Sequence, residues 1–123
     1  MKNIFPVDVT KNSFKINRKL DVSISVPNMH KGKSTEFDGL NVGIVTLENT
    51  NNNGEVHLDG DEILYVISGE IRLTSDSNPN ESLTLNSGDS CIIKKGEWHK
   101  VNVVKATKLI YMTPGLNNEH RPL

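Results

Sequence analysis

The sequence predicts an all-β, antiparallel fold, either a barrel or a double-sheet roll, and three observations support this class. About nine or ten short segments alternate apolar and polar residues or are wholly apolar, as strands do. Turn residues rich in Asn, Asp, Gly and Pro separate these segments at intervals of about 6–12 residues. No segment carries a helical apolar stripe over three turns. With 123 residues, the chain is expected to form a single domain, 1–123.

The first third of the chain contains two strand patterns and a loop. Phe14 and Ile16 alternate with polar residues, which predicts a short edge strand. Leu20–Val26 alternates over its whole length, which predicts a strand with one solvent-exposed face, ended by Pro27. Residues 28–39 are rich in Lys, Gly, Ser and Asp and are expected to form a loop.

The middle of the chain holds two further strands separated by turns. Leu40–Leu47 is a strand whose Gly43 indicates a bulge or a close approach of another group. Asn49–Gly54 is a turn cluster, because Asn and Gly tolerate positive φ. Glu55–His57 begins the next strand, and Asp59-Gly60 indicates a second tight turn.

The remaining strands are short and separated by polar segments. Residues 76–81 form a loop, and residues 113–123 form a polar tail after the last strand. The predicted strands are Glu62–Ser68, Glu70–Thr74, Ser82–Leu85, Ser90–Ile93, Trp98–Val104 and Lys108–Met112.

Composition and charge exclude several classes of function. A net charge of -1 and only six aromatic residues give no surface that would attract nucleic acid or a lipid headgroup layer. No apolar run approaches the ~18 residues of a membrane span, and no signal peptide is visible. Cys91 is the only cysteine, so no intrachain disulfide forms. These features together predict a cytoplasmic protein.

Potential metal ligands are concentrated in one short segment. Glu55 and His57 are two residues apart and share one strand face. If the Asp59-Gly60 turn forms a hairpin, Glu62 lies opposite His57. His99 comes from a later strand. Two imidazoles with one or two carboxylates are typical of a site for a divalent first-row metal with open coordination positions.

The spacing of these residues resembles the cupin superfamily. Its first motif is Gly-x5-His-x-His-x(3,4)-Glu-x6-Gly, in which Glu62 and Gly69 match and His57 takes the place of the second histidine. Its second motif is Gly-x5-Pro-x-Gly-x2-His-x3-Asn, and 18 residues separate the two motifs. The second motif is matched by Gly88, Gly96 and His99.

The resemblance covers about residues 40–112, with N-terminal strands in 1–39 and a tail in 113–123. It implies a small single-domain cupin: a jelly-roll barrel, or double-stranded β-helix, that holds a metal in its mouth and commonly forms a homodimer. It further implies a metal-dependent dioxygenase, isomerase, lyase or decarboxylase acting on a small organic metabolite. The alternative is a non-catalytic module that binds a small ligand with little or no metal, because the fold does not fix the reaction.

The chain departs from the cupin motifs at several positions. Glu55 stands where the first histidine is expected, so the ligand set becomes His57, Glu62, His99 and Glu55. The additional carboxylate favours Mn, Fe(II) or Zn over Cu, and Ni is a further candidate. Glu55 is also a candidate catalytic general base, and its presence is compatible with a weakened metal site. The other departures are Asn49 for the opening Gly, Lys94 for Pro, and Val103 for the final Asn.

An alternative register places Asp59 on the second histidine but leaves one residue too few before Glu62. Asp59 and Asp61 are better interpreted as solvated carboxylates of a turn. His30 is expected to be solvated in its loop. The tail Glu119-His120-Arg121 is either a loose terminus or a segment that folds back over the barrel mouth or onto a partner subunit, which would bring His120 to the site.

The remaining notable residues are assigned away from the chemistry. Trp98 and Tyr65 alternate away from the predicted ligands and are expected on the outer face. Cys91 lies in an apolar strand and is expected to be an inert thiol. The expected walls of a ligand cavity are Leu64, Val66, Ile93 and Val101.

Overall fold

The computed structural model describes residues 3–26, 36–50 and 53–122. These ranges contain nine strands and no helix. The strands are β1 Ser13–Asn17, β2 Val22–Ser25, β3 Gly39–Leu47, β4 Asn53–His57, β5 Glu62–Ser75, β6 Leu83–Asn86, β7 Ser90–Ile93, β8 His99–Pro114 and β9 Asn118–Pro122.

All strand pairs are antiparallel, and one curled sheet follows the order β2-β1-β3-β8-β4-β9. The two longest strands, β5 with 14 residues and β8 with 16, pair with each other along much of their length. β5 also pairs with β6 and β7, which curls the sheet around an interior. The antiparallel all-β prediction and the jelly-roll pattern are therefore confirmed.

The interior is filled by the inward face of the alternating strand pattern. The core residues on β5 include Leu64, Val66, Ile71 and Leu73, which change face once between Val66 and Ile71. Irregular pairing between β5 and β8 in this stretch accounts for the change, since a one-residue shift reverses the face that a side chain occupies. The other core members are Leu85, Ile93 and Leu109.

Gly69 lies at the centre of this irregularity and has a φ of +100°. Two predicted strands meet here and form the single strand β5. Thr107, which is fully buried, supplies the hydrogen bonds that the irregular ladder lacks: its Oγ1 accepts from Glu70 N at 3.0 Å and donates to Lys105 O at 2.7 Å. The predicted strands Trp98–Val104 and Lys108–Met112 likewise merge into β8.

Gly43 marks a close approach. It pairs in register with Tyr111, and a Cβ added at Gly43 would lie 2.5 Å from Tyr111 Oη. The β3–β8 register runs without a shift from Leu40 to Leu47, so the close approach, not the bulge, is the correct alternative.

Two local predictions differ from the structure, and a third is mostly untested. β1, predicted as an edge strand, lies between β2 and β3, and β2 is the edge. β4 does not pair with β5; it pairs with β8 and β9, so the predicted hairpin around Asp59-Gly60 is wrong. Most of the predicted loop 28–39, including His30, lies outside the described residues.

The tail is not a loose terminus, because Asn118–Pro122 forms β9 against β4. Sequence patterns missed this strand since its residues are polar and its partner lies about sixty positions earlier in the chain. Within the described ranges, the structure has no helix long and apolar enough to cross a membrane.

Candidate metal centre

Four side chains from three strands converge inside the barrel. Glu55 and His57 come from β4, Glu62 begins β5 and His99 begins β8. His57, Glu62 and His99 are buried. Glu62 Oε1 lies 3.3 Å from His57 Nε2 and 3.4 Å from His99 Nε2. The predicted hairpin is absent, but Glu62 still reaches His57 because β4 and β5 both pair with β8 in the curled sheet.

Glu55 lies beside the two histidines and closer to solvent. It pairs directly with His99 across the β4–β8 ladder, and its Oε2 lies 3.7 Å from His57 Nε2. About a third of its side chain is exposed, whereas His57 is almost fully buried. Glu55, His57 and His99 offer ligand atoms within 4.8 Å of one another, so they form a group that can hold a metal ion.

Hydrogen bonds at the far side of each imidazole set the position of its proton. His57 Nδ1 lies 2.8 Å from Asn118 Oδ1, and His99 Nδ1 lies 3.0 Å from Glu97 O. Both partners are acceptors, so each Nδ1 carries the proton and donates it. In the neutral imidazoles, the lone pairs are therefore on the two Nε2 atoms, which face Glu62.

Asn118 is oriented for this role by a second hydrogen bond. Its Nδ2 donates to Pro114 O at 2.8 Å, which leaves Oδ1 directed at His57. Thr113 acts in the same way on Glu62: its hydroxyl donates to Oε2 at 2.6 Å and leaves Oε1 facing the imidazoles. Sequence reasoning missed both residues. Their only sequence signal is a polar side chain at the end of a strand and in the tail.

This arrangement requires a positive charge at its centre. Two nitrogen lone pairs and a carboxylate oxygen converge, and they repel each other unless a cation or a proton lies between them. His57 Nε2 is buried and has no hydrogen-bond partner among the described residues. Neighbouring ligands bonded at about 2.1 Å to one ion are roughly 3.0–3.4 Å apart, which the Nε2–Oε1 distances match. The residues therefore fit a divalent metal ion.

Without a metal, the carboxylate and the two imidazoles shift one another's pKa values. Burial opposes ionisation of Glu62, but His57, His99 and the Thr113 hydroxyl outweigh it and lower the pKa of Glu62 to about 2. Burial also opposes protonation of both histidines, but the Glu62 carboxylate raises the pKa of each above the ordinary 6.5. The site thus attracts cations at neutral pH.

The glycines of the second motif connect it to the first. Gly96 N donates to His57 O at 2.9 Å, and Gly88 N donates to Val66 O at 2.8 Å. Both glycines have positive φ, +83° and +89° respectively, which other residues rarely adopt. These turns therefore place His99 beside the first segment.

The turn carboxylates are engaged elsewhere. Asp59 pairs with Arg18, and Asp61 pairs with Lys94 at 2.7 Å. The hydrogen bonds from Lys94 and Lys95 lower the pKa of Asp61. The structure therefore disfavours the alternative register that placed Asp59 in the ligand set.

The other residues noted in the sequence lie away from the centre. The Arg121 guanidinium carbon lies 4.3 Å from the centroid of the Trp98 ring. Tyr65 is exposed on the outer face. Burial, with the Glu62 charge nearby, raises the pKa of the Cys91 thiol, which agrees with an inert cysteine. His120 pairs with Glu55 in the β4–β9 ladder but is exposed.

Three cavities adjoin the centre, and His99 lines each of them. One, of about 190 Å³, contains Glu55 and Glu62 in its lining, and Leu64 and Val101 of the predicted walls also line it. The largest of the three, of about 390 Å³, lies toward β6 and β7 and includes Ile93. The third, also of about 190 Å³, is lined by Lys100 and Arg121. The remaining predicted wall, Val66, is fully buried in the core.

The fold and this centre together define a cupin. The chain belongs to the cupin family, because the cupin domain matches residues 43–113, more than half of its length. No curated protein matches the sequence significantly.

Several solved structures are similar. A cupin-2 domain containing protein from Shewanella frigidimarina is 25% identical with a TM-score of 0.54, over 64% of this chain and 74% of that one. The EutQ protein of Clostridium difficile is 28% identical with a TM-score of 0.50, over 62% and 52%. HppE, with Co(II) and Tris buffer, is 26% identical with a TM-score of 0.51, over 60% and 45%. The chain thus spans about half of EutQ and less than half of HppE.

Replacing Asn118 should weaken metal binding without removing a ligand. In Asn118→Leu, His57 loses the acceptor that fixes its proton on Nδ1, and metal affinity is expected to fall about 10–100-fold. Asn118→Asp keeps an acceptor at the same place and should retain most of the affinity. Competitive titration with a chromophoric chelator measures both variants. Equal affinities for Asn118→Leu and the wild type would remove Asn118 from this role.

Proposed function

We propose that the chain holds one divalent first-row metal ion through His57, Glu62 and His99, with Glu55 either as a fourth ligand or as the general base beside the ion, and acts on a small organic molecule there. Fe(II), Mn, Zn and Ni are the candidate ions. The observation that supports this most strongly is the convergence of two imidazole Nε2 lone pairs on Glu62 Oε1. The Co(II) bound in HppE, a protein of similar fold, is consistent with the proposal.

The residues of the chain have separate tasks in this function. When bound, the ion supplies Lewis acidity for an isomerase, lyase or decarboxylase, or redox chemistry for a dioxygenase. His57, Glu62 and His99 would hold it, and Asn118 and Glu97 orient the imidazoles. Glu55 is less buried than these ligands and lines the cavity, so its carboxylate is the group placed to take a proton from a bound molecule.

Metal affinity should fall as pH falls. A proton on either Nε2 must leave before an ion binds there. Since Glu62 raises the pKa of both histidines, competition from protons begins above pH 6.5, while Glu62 itself stays ionised. Below the histidine pKa values, affinity for Zn or Co(II) is expected to drop about 10–100-fold per pH unit. Calorimetric titrations from pH 8 to pH 5 test this, and a pH-independent affinity would contradict the ligand set.

A cavity of this kind also suits a non-catalytic module that binds a small molecule. One measurement distinguishes the two functions: whether a bound molecule is chemically converted. If the metal-loaded protein leaves its bound molecule unchanged over many hours with each candidate ion, the protein is a binding module. The cytoplasmic location remains a prediction from the sequence.

We further propose that the chain forms a homodimer through the outer face of the sheet. One row of apolar residues crosses six strands in register, from the edge strand β2 to β7, through β1, β3, β8 and β5. Its exposed members include Ile24, Ile63 and Ile92, at 49%, 41% and 66%. The row is Ile24, Phe14, Val42, Met112, Ile63 and Ile92.

We expect this face to bind a second copy of the chain, since the second copy presents an identical apolar face. Six strands at about 4.8 Å and three outward positions per strand give a face of roughly 30 by 20 Å. Two such faces would bury roughly 1,200 Å² in total, the lower limit of a specific interface.

Ile63→Lys should convert the dimer to a monomer, because it would bury an unpaired charge in the interface. Leu58→Lys is the matched control: Leu58 has a similar exposure of 45% but follows β4, outside the six strands. Light scattering coupled to size-exclusion chromatography gives the mass of each. A monomeric wild type, or a dimer that persists in Ile63→Lys, would overturn this interface.

A further inference from the structure

The cavity beside the metal centre is strongly apolar. Seven of its twelve lining residues are aliphatic or aromatic, and their side chains enclose about 190 Å³. That volume equals roughly six water molecules, so the cavity suits a compact molecule. The apolar members are Val45, Leu47, Leu64, Val101, Val103, Leu109 and Tyr111.

The charges of the centre cancel when a divalent ion is present. Glu55 and Glu62 together contribute -2, and each imidazole is neutral when its Nε2 holds the ion, because Nδ1 then carries the only ring proton. A divalent ion contributes +2, so the sum is zero. This sum is the same whether Glu55 ligates the ion or lies next to it, since its carboxylate belongs to the centre in both arrangements.

No positive side chain compensates for an anion in this cavity. Among the described residues that line it, none is Lys or Arg. Nearby cations lie outside this lining: Lys94 pairs with Asp61, and Arg121 pairs with Asp76 while stacking on Trp98. Lys100 lines a separate cavity, together with Arg121 and His99. A carboxylate entering the cavity would lose its hydration and meet no net countercharge, which is costly.

We propose that Glu55 sets the net charge of the loaded site to zero and thereby selects an uncharged ligand. The ligand class is a compact aliphatic molecule that offers a neutral oxygen or nitrogen donor, such as an amide, alcohol, aldehyde or ketone. A histidine at position 55 would leave the site at +1 and favour an anion, so this one substitution changes the ligand class. The inference rests on the proposed metal function, and it disfavours decarboxylation among the reactions considered above, since that reaction requires a carboxylate.

A pair of molecules of the same shape tests the proposal. 3-Methylbutanamide and 3-methylbutanoate have the same number of non-hydrogen atoms and differ in charge. Zn- or Co(II)-loaded wild type should bind the amide at least about tenfold more tightly than the carboxylate. The reason is that burying one uncompensated charge at short range costs more free energy than a tenfold difference in affinity represents. In Glu55→Gln, the site carries +1, and the preference should shift toward the carboxylate by a similar factor. Binding is measured by calorimetry or by ligand-observed NMR, with metal content determined first.

A second variant avoids any loss of metal in Glu55→Gln. Leu47→Lys adds a positive charge to the lining and leaves all four candidate ligands in place, so it should shift the preference in the same direction. Wild type that prefers the carboxylate, wild type that binds neither molecule, or an unchanged preference in the metal-loaded variants would overturn the proposal. Protein that takes up no metal would instead refute the proposed function, and metal analysis detects that result before any ligand is added.

Discussion

His99→Ala protein is expected to contain almost no metal, whereas the wild type should bind about one divalent ion per chain. His99 supplies one of two imidazole nitrogens at the centre, and its Nε2 faces Glu62 Oε1 at 3.4 Å. Removing a residue that hydrogen-bonds to a metal ligand typically lowers metal affinity about 10–100-fold. Removing a ligand itself should cost more, so the affinity should fall at least about 100-fold. Elemental analysis of protein purified without a histidine tag, together with competitive chelator titration, measures the loss.

His120→Ala provides the control for removing a histidine. His120 lies on the neighbouring strand β9, opposite Glu55, but is exposed and lies outside the group of converging ligand atoms. This variant should keep its metal. Circular dichroism of the metal-free forms checks that both variants are folded, which separates ligand loss from unfolding. Full metal content in folded His99→Ala would refute the proposed centre.

Gly69→Ala is expected to destabilise the fold by about 3–5 kcal/mol, among the largest effects for a single methyl group. Gly69 has a φ of +100°, and the added Cβ would lie 2.3 Å from Ala106 O and 2.6 Å from Thr107 Cα. Both are backbone atoms of β8, so neither can rotate away as a side chain would. The substitution would push β5 away from β8 at the point where their pairing is irregular and Thr107 supplies the hydrogen bonds. Urea denaturation followed by circular dichroism gives the free energy of unfolding.

Gly88→Ala separates the two causes of this cost. Gly88 has a similar φ of +89°, but no atom lies within 4 Å of an added Cβ. It should therefore show only the cost of positive φ, about 1–2 kcal/mol. The difference between the two variants measures the steric conflict with β8. Equal losses of stability would show that backbone conformation alone explains the glycine at position 69.

The strands and most of the candidate site could be predicted from the sequence because both depend on short-range patterns. Alternation with period two places His57 with Glu55, and Leu64 with Glu62, on single faces whatever the strands pair with. The second motif likewise singled out Gly88 and Gly96, which have positive φ in the structure. The spacing within this motif then added His99 to the candidate ligands.

Strand pairing was decided only by the tertiary structure. The Asp59-Gly60 turn indicated a hairpin, yet β4 pairs with β8 and β9, whose residues lie about forty to seventy positions away. A local pattern carries no information about such distant partners. For the same reason the tail gave no sign that Asn118 would lie 2.8 Å from His57 Nδ1.

The sequence by itself determined which residues are candidate metal ligands. The tertiary structure decided how these residues are buried and which charged groups surround them. Glu55 was visible as a departure from the cupin motif, but its effect depends on the cavity around it. That cavity combines apolar side chains from β3, β5 and β8 and contains no positive side chain among its described lining residues. Burial and convergence are properties of packed strands, so the proposed neutral metal centre could be inferred only from the folded molecule.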